Sequence, residues 1–105
     1  MPDLLLGLDV GTSSARAMVF TPDGVAVGAA QTGLLSTQPA AGRVEQDPAM
    51  VWEAVQQVLA QALANAGCAP GDVASLGVTT QRSSVVIWER ASGHPVAPMV
   101  VWNDL

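Results

Sequence analysis

Across 105 residues the chain carries nine acidic and four basic side chains, a net charge of −5, and half of it is hydrophobic while only 12% is charged. A chain of this length makes at most one ordinary domain, burying roughly two-thirds of its unfolded surface, and its acidity argues against a nucleic-acid partner. A single cysteine, Cys68, excludes an internal disulfide framework, no apolar run nears the roughly 20 residues of a membrane span, and Met1-Pro2-Asp3 gives no basic leader, so the reading is cytoplasmic with no membrane partner.

Residues 4–10, LLLGLDV, form a nearly continuous apolar run, the pattern of a central strand buried on both faces. The run meets a lone carboxylate at Asp9, turns through Gly11-Thr12-Ser13-Ser14, and resumes over residues 15–20 as a second strand carrying Arg16. Thr21-Pro22-Asp23-Gly24 is strong turn chemistry. A third strand is expected over residues 25–35, weakened by Gly28 and Gly33, so the first three strands form an antiparallel meander.

Residues 36–46, with Pro39 and Gly42, read as a loop. Asp47-Pro48 then opens a helix, Asp as N-cap and Pro at the first helical position. Apolar residues recur at helical period from Val51 to Ala66, with Trp52 placed in the core and Gly67 as the C-cap. After Pro70-Gly71-Asp72, strands are expected over 73–79, 85–88 and 99–102. The order β-β-β-α-β, with further strands behind it, predicts a mixed sheet.

Polar residues gather at strand ends: Asp9 to Ser14, Gln81 to Ser84, and Asn103-Asp104. In open α/β sheets ligands bind beyond the carboxyl ends of the strands, so parallel neighbours would bring these clusters into one crevice. In the first cluster Gly11 can take positive φ, and the amides and hydroxyls of Thr12, Ser13 and Ser14 can converge on an anion. Asp9 would repel a phosphate but can hold Mg²⁺ through water. The alternative, a hairpin whose Asp, Thr and Ser satisfy their own backbone, remains open on spacing alone.

Arg82, one of few cations, must pair with a carboxylate or meet a polar ligand, and Trp102 beside Asp104 suits stacking on a sugar or polyol. His94 lies in a Gly-His-Pro turn with no metal partner at ligand spacing. Asp47 is accounted for by capping, and Glu45 reads as solvated. No GxxxxGK[ST] or GxGxxG motif is present.

GLDVGTSSARAMVF resembles the first phosphate motif of the actin-like ATPase superfamily. GRVEQDPAMVWEAV, LGVTTQRSSVVIWERASGHPV and VVWND narrow the resemblance to the amino-terminal part of the FGGY carbohydrate kinases, glycerol kinase and xylulokinase among them. The resemblance implies a ribonuclease H-like, actin-like ATPase fold of the α/β class in an incomplete domain. It divides the chain into a phosphate hairpin (4–20), a helix (48–66) and sugar-site strands (73–104). It implies ATP and Mg²⁺ as cofactors, with Asp9 at the metal and Gly11, Thr12, Ser13, Ser14 and Arg16 near the phosphates. Gln81, Arg82, Ser83, Trp102 and Asp104 then fall on the sugar or polyol side.

Glycerol kinases carry Glu after the matching Arg, so Ser83 is a departure that opens the substrate to a pentulose or alditol. Family members are several times longer, and by the resemblance their catalytic base is expected beyond the position of Leu105. The resemblance therefore implies no catalytic residue in this chain, inactivity of the chain alone, and a longer parent, for which a homo-oligomer is compatible. Two other classes compete with it: a non-enzymatic actin-like scaffold, and a small dimeric aspartic protease suggested by Asp9-Val10-Gly11-Thr12 but disfavoured by Val10 and the long helix.

Overall fold

A computed structural model describes residues 3–81 and 84–101. Strands β1 (Leu4–Val10), β2 (Ser14–Phe20) and β3 (Ala26–Gly33) form the antiparallel meander, and β1 pairs in parallel on its other side with β5 (Val73–Thr80). The sheet order is β3-β2-β1-β5. A parallel pair needs a crossover, and helix α1 (Pro48–Ala66) provides it.

Helix α1 begins where Asp47 Oδ1 accepts the Ala49 amide at 3.0 Å and ends where Gly67 takes the left-handed conformation at φ 69°. It lies over β2 and β3, where small residues allow close approach. Ala15, Ala17 and Val19 are fully buried beneath Val58 and Ala62. At Gly28 a Cβ would stand 2.6 Å from Ala66 Cβ, so the helix rests on bare backbone.

Three expectations give way to the structure. Strand β1 is covered on one face only: Leu6 and Leu8 enter the core, while Leu5 and Asp9 are exposed on the opposite face. The two-sided apolar run reflects surface that the described residues leave open. Residues 36–46 are not all loop, because β4 (Glu45–Gln46) pairs with β6 (Met99–Val100) in a separate two-stranded sheet. The strand expected over 85–88 is reduced to isolated bridges, Val85 to Val100 and Trp88 to Pro95.

Trp52 is also corrected, since it is 61% exposed and borders an apolar groove with Val86 and Met99 instead of entering the core. Glu45 is not solvated: its carboxylate pairs with Arg43 at 3.0 Å and its side chain is 14% exposed. The Cys68 thiol is half-buried against the main core.

Candidate functional site

The turn between β1 and β2 is closed by the Gly11 amide donating to Ser14 O at 2.9 Å, and is tied to the chain after β3 by the Leu34 amide donating to Ser13 O at 2.9 Å. Gly11 does not have positive φ, contrary to the sequence reading. A Cβ there would meet Ser14 O at 3.2 Å, a tight approach.

Strand register settles which polar residues share a face. Asp9 stands opposite Arg16 on β2 and beside Thr79 on β5. With Gly7, Met18 and Phe20 they line an open groove of about 400 Å³ on the face away from α1. Asp9 and Arg16 form no ion pair among the described residues. Instead Arg16 Nη2 donates to Gln31 Oε1 at 3.4 Å, and Gln31 Nε2 donates to Ser14 Oγ at 3.2 Å. The guanidinium thus finds its hydrogen-bond partner on β3.

At the carboxyl end of the sheet a second polar group assembles. The parallel ladder continues past β5, the Gln81 amide donating to Val10 O at 2.9 Å. Gln46, 1% exposed, donates through Nε2 to Thr12 O at 2.7 Å and to Ser36 Oγ at 3.2 Å. Gln81 Nε2 donates to Gln46 Oε1 at 3.0 Å. Gln81 Oε1 accepts from Ser84 Oγ at 2.9 Å and lies 3.5 Å from Thr12 Oγ1. The parallel pairing of β1 and β5 therefore brings the turn and residue 81 together, as the strand-end argument anticipates.

Arg82, Ser83, Trp102 and Asp104 lie outside the described residues, as does Leu105, the position beyond which the sequence reading sets the general base. Two contributors escaped the sequence reading. Gln31 carried no signal beyond its place on a strand, and Gln46 sat in a segment read as loop. The signal that existed was Gln46 directly before the Asp-Pro helix start, a polar residue placed where a helix N-terminus meets the sheet end. His94 is exposed and its amide donates to Ser92 Oγ at 3.2 Å, which is turn chemistry.

The model of the FGGY family of carbohydrate kinases, N-terminal domain, matches residues 4–105. The chain belongs to this family. It is 42% identical over 102 residues to the glycerol kinase of Bordetella pertussis, covering 97% of this chain and 20% of that protein. With the glycerol kinase of Paracidovorax citrulli it shares 46% identity over 100 residues, 95% of this chain and 20% of the relative.

Among solved structures, the xylulose kinase of Rhodospirillum rubrum superposes with a TM-score of 0.87 at 27% identity, covering 97% of this chain and 21% of that one. The glycerol kinase of Plasmodium falciparum with ADP, at 21% identity, shares the fold with a TM-score of 0.86 over 98% of this chain and 21% of its own. The fold is that of the sugar kinases of the actin-like ATPase class. The chain spans about a fifth of the length of the curated relatives it matches. Family membership and a helix of 19 residues exclude the aspartic protease.

Proposed function

We propose that a protein carrying this chain transfers the γ-phosphoryl group of ATP to a hydroxyl of a sugar or polyol, the chain supplying the phosphate wall of the cleft and part of the acceptor wall. In this reading Gly11, Thr12, Ser13 and Ser14 meet the phosphates and Arg16 offsets their charge. Gln81, together with Arg82, Ser83, Trp102 and Asp104, faces the acceptor. The general base lies outside this chain, so the chain alone does not turn over ATP.

The reading is carried by one observation: the parallel pairing of β1 with β5 seats the hairpin turn against Gln81, 3.5 Å from Thr12 Oγ1 to Gln81 Oε1. Phosphoryl transfer depends almost wholly on positioning and charge stabilisation, so a donor wall and an acceptor wall must abut. In a chain of net charge −5, the phosphates must be met by such local donors, since the overall field repels them.

The residues suit Mg²⁺. Asp9 is an exposed carboxylate, and the described residues contain no group of three or more His, Cys, Asp or Glu that could cage an ion. Mg²⁺ keeps several waters and takes one or two carboxylates alongside substrate phosphates, which a lone Asp9 satisfies. When bound, the ion neutralises charge on the β- and γ-phosphate oxygens. Asp9 would orient its water shell, and the carboxylate forms no ion pair with Arg16 among the described residues.

Ser83 replaces the Glu of glycerol kinases, so a pentulose or alditol is proposed beside glycerol as acceptor. Coupled ADP-release assays across a panel of polyols and ketoses test the reading. At least one acceptor should stimulate turnover; stimulation by none overturns it, and ATP turnover indifferent to every acceptor would favour the actin-like scaffold.

A further inference from the structure

Gln46 is a primary amide buried to 1% exposure at the junction of β4 with α1, and its partners define its own orientation and that of Gln81. The carbonyl of Thr12 can only accept, so the Gln46 group 2.7 Å from it must be Nε2. Gln46 Oε1 is thereby turned toward Gln81, which must answer with its own Nε2 at 3.0 Å. Gln81 Oε1 is left facing the hydroxyls of Ser84 and Thr12. One backbone carbonyl in the hairpin turn thus dictates, through Gln46, that Gln81 turns its Oε1 to the Ser84 and Thr12 hydroxyls.

We infer that Gln46 is a positioning residue that couples the two walls of the cleft, holding the turn by the Thr12 carbonyl and the acceptor-side amide of Gln81 in a single orientation. The inference rests on the kinase reading above. The residue touches neither reactant; it acts through Thr12 and Gln81. A buried side chain chosen only to fill space would be apolar, since an amide in this position costs free energy unless each of its atoms is paired. Here both the oxygen and the nitrogen are paired, and two of the three partners, Thr12 and Gln81, belong to the proposed site.

The test uses the protein carrying this chain at the length of its relatives. Gln46→Met keeps the length and flexibility of the side chain while removing donor and acceptor together. Losing a buried hydrogen-bond pair on each side should raise KM for ATP and KM for the acceptor, each about ten-fold or more. Ser36→Ala, which removes only the third partner of Gln46, should leave both within about two-fold. A purely structural role would lower the amount of competent enzyme, so kcat would fall with both KM values unchanged. That result, or movement of one KM alone, overturns the inference.

Should Gln46→Met fail to fold, ¹⁵N spectra of the unaltered protein decide. The side-chain amide of Gln46 should shift both on adding MgADP and on adding acceptor, and no shift with either overturns the proposal. If the unaltered protein shows no acceptor-stimulated turnover, the kinase reading falls separately. Gln46 is then judged by hydrogen exchange at the Gly11 and Leu34 amides that close the turn. Faster exchange in Gln46→Met upholds its hold on the turn, and unchanged exchange refutes it.

Discussion

Asp9 and Arg16 face each other across two strands without forming an ion pair among the described residues. The Arg16 guanidinium instead donates to Gln31 on β3. Asp9→Asn should therefore cost stability no more than about 0.5 kcal/mol, being an exposed change. If the proposed kinase reading holds, it should lower kcat of the protein carrying this chain by about a hundred-fold or more, as removing one preorganised charge at a phosphoryl site does. Thermal melts beside steady-state rates check both halves, and a loss of stability matching the loss of rate would contradict the assignment. The hairpin that carries Asp9, Gly11 to Ser14 and Arg16 was legible in the sequence because its two strands and turn are consecutive. Gln46 was not, since its meaning comes from Thr12, 34 residues away, and only the tertiary fold makes that pair.

At the scale of elements, the helix was the most legible part because its ends are written in local chemistry. Asp47 caps it, Pro48 opens it and Gly67 closes it. Asp47→Ala should cost about 1 kcal/mol, measured by denaturant midpoint. Gly28→Ala on β3 should cost more, about 1–3 kcal/mol, because its methyl would meet Ala66 Cβ at 2.6 Å and Ala62 O at 2.7 Å. Equal costs for the two variants would mean that the helix is less closely seated than described. Residues 85–88 misled because Val-Val-Ile-Trp has the composition of a strand, yet a strand also needs a partner along its length, and only isolated bridges form. The two-residue β4 was invisible for the opposite reason: so short an element has no period to detect.

For the whole molecule, the apolar surplus seen in the composition has a place. Leu76 and Val78 share the core-side face of the sheet with Leu6 and Leu8, but α1 lies over β2 and β3, leaving them 49% and 57% exposed. Trp52, Ile87 and Trp88 add further exposed apolar area. Patches of this kind mark interaction surfaces or association hazards. The 105-residue polypeptide alone should therefore self-associate in sedimentation velocity, and a clean monomer at high concentration would contradict this. The mixed sheet was legible from element order, whereas the bare faces were not, because an apolar run in sequence does not say what covers it.

The central claim is that the Gly11 to Ser14 turn meets nucleotide phosphates while the chain around Gln81 meets the acceptor. Hydrogen exchange on the protein carrying this chain, with MgADP and with a stimulating acceptor added separately, tests that most directly. MgADP should slow exchange over residues 11–16, and the acceptor should slow it over residues 81–84. Protection by MgADP elsewhere, with residues 11–16 unchanged, would contradict the account.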